Sequence, residues 1–337
     1  MAGMGKRLRP HTLTTAKPLL PVAGKPIVQR LVEDILTTSG QRIDEIGFVV
    51  GNFGSAVEEQ LIQVAEKLGS RGRIYYQEQP LGTAHAIACA KESLDEEVII
   101  AFADTLFRAE FQLDRSKDGC IYVKTVENPK AFGVVKLDAE GHITDFIEKP
   151  ETFVSDLAII GIYYLREGPR LKREIQYLLD NDIREKGEYQ LTNALQRLKD
   201  DGARIVAGKV DAWWDCGNKD AVLDTNARVL DYLQGLGGKT RHPKVDDSLR
   251  HTSTQLVRTQ VIEPCYFGAN VVVEDSVIGP YVSLGDNVQV RNSVMRNTIL
   301  REDTTVSYSI LADCLIGRHA SVTGQARVLD LGDFSRS

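Results

Sequence analysis

The stretch VIGPYVSLGDNVQVRNSV, residues 277–294, decides how the end of this chain folds. Ile278, Leu284 and Val290 stand six apart, and each is followed four residues later by Val282, Val288 or Val294. An amphipathic helix repeats about every 3.6 residues and a half-buried strand about every two, so neither accounts for this step. A six-residue period describes a β-helix, in which each short face buries one aliphatic side chain against the coil below. After a slip, Ile310, Ile316, Val322 and Val328 resume the same step. The spacing predicts about four triangular coils over residues 259–332, with an ordinary β-rich domain as the alternative.

Upstream, residues 234–258 are polar, contain glycine and show no period, which marks a linker or an irregular crossover. Residues 1–233 carry a different pattern. Val28, Val32 and Leu36, with Ile27, Leu31 and Ile35, recur at spacing four before Gly40, predicting a helix. A strand at 46–50 follows, then a helix at 55–69 with Ser55 and Glu58 in capping-box spacing, a strand at 73–77, a helix from Thr83 and a strand at 98–104. Strands alternating with helices predict an α/β fold with a Rossmann-like, mostly parallel sheet. Such sheets bind ligands beyond the carboxyl ends of their strands, where Gln77 and Asp104 stand.

Composition narrows the function. The chain has 337 residues, 42% of them hydrophobic and 26% charged, with a net charge of −6. That is an ordinary globular composition for two domains, and no basic excess suggests nucleic acid as a partner. The five cysteines are widely spaced and include no Cys-x-x-Cys, which argues against a disulfide framework or a zinc site. No apolar run approaches a membrane span and no secretory signal precedes Gly3, so the expected location is cytoplasmic.

The opening GMGKRLRPHTLTTAKPLLPVAGKPI, residues 3–27, mixes cations with glycine and proline. Gly3 and Gly5 allow close backbone approach, while Arg7, Lys17 and Lys25 supply charge, which together describe a phosphate cradle or else a solvated basic loop. Leu8 stands where the dinucleotide fingerprint needs its third glycine, and GGKT at 237–240 lacks the first glycine of a P-loop. Asp104 ends the apolar AFAD and is either a metal ligand or a turn cap. Asp215 sits in DAWWDCGN, an apolar neighbourhood in which a carboxylate needs a cation or several donors. Two such aspartates could share one Mg2+, whose ligands are typically one or two carboxylates plus phosphate oxygens.

Taken in order, these segments resemble the sugar-1-phosphate nucleotidyltransferases over residues 2–233, in the long form whose members continue into a left-handed β-helix of hexapeptide repeats. The resemblance implies that Arg7 and Lys17 bind phosphate within GMGKRLRP…TTAKPLLPVAGKP, and that Gly3, Gly5, Gln77, Gly82 and Thr83 bind the nucleotide, the last three within QEQPLGTAHA. ADT and WWDCG look like the two metal-aspartate motifs, which makes Asp104 and Asp215 Mg2+ ligands and catalytic residues along with Arg7 and Lys17. NPKAFGVVKLD, FIEKP, IIGIYYL and GEYQLTNAL resemble sugar-binding segments and implicate Gly133, Glu148, Lys149, Gly161 and Glu188. Relatives usually carry a short hydrophobic strand ahead of the glycines, where Met1 and Ala2 stand here. That difference gives the expectation that the natural product begins upstream with a short apolar run.

The implied reaction joins a nucleoside triphosphate, dTTP or UTP, to a sugar 1-phosphate, glucose 1-phosphate foremost, and releases pyrophosphate. The phosphate nucleophile is already an anion, so no general base is required, in keeping with the absence of a His/Ser/Cys constellation. Gln77 offers a donor and an acceptor to a uracil or thymine edge. A mannose-1-phosphate guanylyltransferase, an inactive regulatory relative, a metal-dependent glycosyltransferase and a β-helix acyltransferase are the alternatives. The expected assembly is a homo-oligomer built through the β-helix, with no nucleic-acid or membrane partner.

Overall fold

The computed structural model describes residues 5–40, 42–108, 114–235, 245–246 and 248–324. The described residues form two compact units, one within 5–20, 26–217 and 245, the other within 21–25, 218–235 and 246–324.

In the first unit, helix α1 (Ile27–Ser39) begins after Pro26 and stops at Gly40 in the left-handed region. Strand β1 (Glu45–Val50), α2 (Ser55–Lys67), β2 (Arg71–Tyr76), α3 (Thr83–Cys89) and β3 (Val98–Ala101) continue the expected alternation. The capping box does not form: α2 starts at Ser55 itself, so Gly54 occupies the N-cap and no side chain caps the helix. Next come β4 (Thr105–Arg108), β5 (Gly119–Thr125), β6 (Gly133–Leu137), β7 (Ile143–Glu148), β8 (Leu157–Leu165), α4 (Gly168–Asp180), α5 (Leu191–Asp200), β9 (Ile205–Lys209) and β10 (Ala212–Asp215).

The principal sheet runs β9-β5-β8-β6-β7, with β3 also paired to β8. Pairings β1–β2 and β9–β5 are parallel, but β8 is antiparallel to β3, β5 and β6, and β6 is antiparallel to β7. The α/β class holds, while this sheet is less parallel than the alternation of elements suggested. The reason is β8, a nine-residue apolar strand that enters against its neighbours and binds β5 along one edge and β6 then β3 along the other. One buried core takes in Ile159, Tyr163 and Leu165 of β8 together with Leu171, Ile175 and Leu178 of α4 and Leu191, Leu195 and Leu198 of α5. Each such buried side chain contributes about 1.5–3 kcal/mol relative to exposure.

Among the described residues, β1 pairs only with β2, and β3 only with β8. Between them lies a cavity of about 1230 Å³ walled by β1, β3, α1 and α3, with Val28, Leu31, Ile46, Phe48, Ile87, Val98 and Ile100 on its surface. The two strands therefore turn free edges and apolar side chains to one space.

The second unit is a parallel β-solenoid of about four turns, consistent with a left-handed β-helix, built from sheets of five, four and four strands. Its turns advance by 17 residues from Val272 to Gln289, then by 16 to Thr305 and by 16 to Ser321. Corners occur at Asn270, Asp275, Tyr281, Asn287, Asn292, Asn297, Asp303, Tyr308, Asp313 and His319, all at positive φ and five or six residues apart. Asn and Asp tolerate that conformation better than other side chains. The mixture of fives and sixes corrects the strict six-residue step. Val294 and Ile310 face outward, 46% and 85% exposed, while their neighbours Met295 and Leu311 pack inward. Val328 lies outside the described residues.

Two further assignments shift. Residues 255–257, expected in the linker, form a solenoid strand paired with Val272–Glu274. Helix α6 (Lys219–Gly235) and the hairpin at 21–25, expected with the catalytic domain, belong to the solenoid unit. A fully buried Asn226 explains why: its Oδ1 accepts from Ala23 N–H at 2.8 Å and from Ser283 Oγ at 2.7 Å. All five cysteines are unpaired, and no helix among the described residues is long and apolar enough to cross a membrane.

Candidate active site

The lining of the cavity also includes Gly5, Lys6, Arg7, Lys17, Gln77, Gly82, Thr83, Asp104, Glu188 and Gly217. Gly5 adopts φ 54°, and a Cβ there would stand 3.0 Å from Thr12 Cγ2 and 3.2 Å from Lys17 Cβ. The loop thus folds its backbone onto Lys17, and Thr12 pins it by donating to Gly5 O at 2.8 Å. Thr12 escaped sequence reasoning because a threonine in a polar loop carries no distinguishing pattern. Gly3 lies outside the described residues.

Lys17 Nζ lies 3.0 Å from Asp104 Oδ2, in a pair whose lysine side chain is 11% exposed and whose carboxylate is 51% exposed. Asp104 directly precedes β4, and β4 pairs antiparallel with β10 so that Thr105 stands opposite Asp215. The backbone closes the end of this ribbon, Cys216 N–H donating to Asp104 O at 3.0 Å. The two aspartates, far apart in sequence, are therefore brought to one ribbon end. A methyl group on Gly217 would fall 2.7 Å from Asp215 Oδ2 and 3.3 Å from an Arg7 guanidinium nitrogen, which puts Arg7 beside the second carboxylate.

Asp215 is exposed, which corrects the apolar setting inferred from its tryptophans. Strand geometry sends Trp214 to the face opposite Asp215, and Trp213, two residues away on the same face, is engaged by Phe132 instead. Trp213 packs edge-on against Phe132 with centroids 5.0 Å apart, and Trp214 lies under Arg108 at 5.5 Å. Lys25 is also corrected: it sits in the hairpin of the second unit and is not among the residues lining the cavity.

Gln77 follows β2 and is 7% exposed. Its Nε2 donates to Gly82 O at 3.0 Å and lies 3.1 Å from His85 Nδ1. Gly82 takes φ 118°, and a Cβ there would collide with Tyr189 O at 2.4 Å. The Gly82–Thr83 turn is consequently pressed against the 188–191 segment. Ala84 N–H donates to Tyr189 O at 2.9 Å, and Leu191 N–H donates to Thr83 Oγ1 at 2.9 Å. Glu188 accepts from Gln190 Nε2 at 3.2 Å.

Of the remaining expected sugar ligands, Gly133, Glu148 and Lys149 form a second cluster, outside the cavity lining. Gly133 is the register partner of Glu148. Glu148 takes Thr192 Oγ1 at 3.3 Å on one oxygen and Lys149 Nζ at 3.3 Å on the other, while Lys186 Nζ donates to Lys149 O at 2.6 Å. Burial, with the nearby Glu148 charge adding to it, pushes the Tyr163 phenol well above its ordinary value. Thr192 and Lys186 are further residues that sequence reasoning passed over. Gly161 sits at the irregularity of β8, where its carbonyl accepts from the N–H of Phe102, a residue on the cavity wall.

Asp104 and Asp215 fit a hard divalent cation, since they place two carboxylates at one ribbon end beside two cations. No group of three or more His, Cys, Asp or Glu that could cage a metal exists among the described residues. A two-carboxylate set suits Mg2+, which draws its other ligands from phosphate and water.

Comparison with known proteins places this arrangement. Residues 1–232 match the family described as nucleotidyl transferase. The chain is 30% identical to a glucose-1-phosphate thymidylyltransferase of Streptomyces antibioticus, over 99% of this chain and 96% of that protein. It is also 30% identical to the low-salt glycan biosynthesis nucleotidyltransferase Agl11 of Haloferax volcanii, over 95% of this chain and 91% of the relative. A solved UDP-glucose pyrophosphorylase complexed with UDP-glucose shares the fold at TM-score 0.56 and 22% identity, covering 68% of this chain and 96% of that structure. The chain belongs to the nucleotidyl transferase family, among the sugar-1-phosphate nucleotidyltransferases.

Proposed function

We propose that the protein transfers a nucleotidyl group from dTTP or UTP to glucose 1-phosphate, giving the nucleotide-sugar and pyrophosphate. The observation that carries this reading is the convergence of Arg7, Lys17, Asp104 and Asp215 at one ribbon end beside the Gln77–Thr83 turn. A phosphate oxygen of the sugar 1-phosphate bonds to the α-phosphorus of the triphosphate, and the bond from that phosphorus to the bridging oxygen breaks. Its electron pair leaves with pyrophosphate.

No residue needs to remove a proton, because the nucleophile is anionic near neutral pH. What the chain supplies is approach and charge: Arg7 and Lys17 offset the repulsion between two polyanions and hold them in line. Asp104 and Asp215 would hold Mg2+, which when bound neutralises charge on the transferring and leaving phosphates. Until phosphate arrives, Lys17 is held over the site by Asp104. Glu148, Thr192 and Lys149 offer acceptors and donors suited to sugar hydroxyls.

Pyrophosphate release measured across a panel of nucleoside triphosphates and sugar 1-phosphates tests the reading. The highest kcat/KM is expected for dTTP or UTP with glucose 1-phosphate in the presence of Mg2+. Preference for GTP with mannose 1-phosphate would replace the substrate assignment. Release with no pair at all would make the chain a binding or regulatory relative.

A further inference from the structure

His85 has no part in phosphate chemistry, yet it touches the residue best placed to meet a nucleobase. An amide nitrogen can only donate, and Gln77 Nε2 has two hydrogens. One goes to Gly82 O at 3.0 Å, a carbonyl that can only accept, so this bond identifies the inward end of the amide as nitrogen but occupies only one of its two hydrogens. The other is directed at His85 Nδ1, 3.1 Å away. Nδ1 must then be the acceptor, which makes His85 a neutral imidazole with its proton on Nε2. Burial of the half-buried ring lowers its pKa and favours the same neutral form. Both donors of Gln77 are therefore committed inside the protein. Its Oε1 accepts from no group among the described residues, and it is not enclosed.

We infer that His85 is a specificity-determining positioning residue, which locks the Gln77 amide with its oxygen toward the bound base and so selects bases that present a ring N–H. Uracil and thymine present one at N3, whereas cytosine presents a lone pair there. A free Gln77 could rotate its amide and serve either kind. The lock removes that freedom, and a lone pair facing a fixed carbonyl oxygen is repelled. The inference rests on the proposed nucleotidyl transfer only in taking Gln77 as the residue that reads the base.

UTP and CTP are suitable probes, because they are alike in size and phosphate and differ at this edge. The ratio of kcat/KM for UTP over CTP is compared in the intact protein and in His85→Leu and His85→Asn. Leucine removes the acceptor, while the Asn Oδ1 can take the place of Nδ1. The ratio is expected to fall about tenfold in His85→Leu, the scale of one lost hydrogen bond, with kcat for UTP largely kept. It should stay within about threefold of the starting value in His85→Asn, since an acceptor remains there. An unchanged ratio in His85→Leu overturns the inference. So does an equal fall in both variants, which would mean the ring matters only for packing, or a starting protein that does not prefer UTP. Equilibrium binding of UTP and CTP by calorimetry separates the two readings. A binding preference lost in His85→Leu, without pyrophosphate release from any substrate pair, would keep the lock and sink the transfer reaction. Turnover with a ratio indifferent to residue 85 would do the reverse, and failure to bind either nucleotide would remove both.

Discussion

The Lys17–Asp104 pair shows how one contact can serve two states. Lys17 is nearly buried, and holding a cation there without a partner would be costly, so Asp104 stabilises it in the ligand-free protein. Arriving phosphate can take over that partnership and leave Asp104 to a metal. Asp104→Asn and Asp215→Asn are each expected to lower kcat by about 100-fold or more, the scale of one lost electrostatic contact to the transition state, while circular dichroism shows an intact fold. Near-normal turnover of either variant with Mg2+ would refute a metal shared between them. Lys17→Ala should cost about 2–4 kcal/mol of transition-state stabilisation, read from kcat/KM. Because Glu148 is held by Thr192, Thr192→Val should instead raise KM for the sugar 1-phosphate with little effect on KM for the triphosphate. The reverse pattern would place the sugar elsewhere.

At the scale of elements, the space between β1 and β3 is the outstanding feature of the first unit. Two strand edges and an apolar lining suit an extended apolar segment lying between them, running into the Gly5 loop. Attaching four to six Val or Ile residues ahead of Ala2 should therefore raise the melting temperature, by about 2–4 °C for each kcal/mol gained. A Gly/Ser extension of the same length is the control, and equal melting of the two would show that the space needs no strand. In the solenoid unit, Asn226→Leu should cost about 1–3 kcal/mol, because it strands the buried Ala23 N–H and Ser283 hydroxyl that now share its Oδ1. Chemical denaturation would measure that loss. Indifference to the change would mean the hairpin at 21–25 is held by other contacts.

For the whole molecule, the outward register of one solenoid sheet aligns Val277, Val294 and Ile310 in a column. Ile310 is 85% exposed and Tyr308, at the preceding corner, is 52% exposed. Apolar residues aligned along a flat parallel sheet suit contact with another copy of the chain. Sedimentation should give a mass above the monomer, and Val294→Lys with Ile310→Lys should lower it while sparing turnover. A mass unchanged by the paired substitution would rule this face out as the interface.

The sequence by itself determined the α/β class, the coiled end and the ordered motifs that carry Arg7, Lys17, Gln77, Asp104 and Asp215. All of these are written in local spacing: helix and strand periods, aliphatic steps, and glycines beside cations. Tertiary structure alone decided that the two aspartates meet, because the β4–β10 pairing spans a separation that no local pattern records. It also decided that Asp215 is exposed, that α6 and the 21–25 hairpin join the solenoid through Asn226, and that Ile310 faces outward. The last depends on left-handed corners spaced at both five and six residues, and each five moves the inward position by one. The orientation of the Gln77 amide is likewise invisible in sequence. It follows from a carbonyl and an imidazole that only the folded Gly82–His85 turn brings within reach.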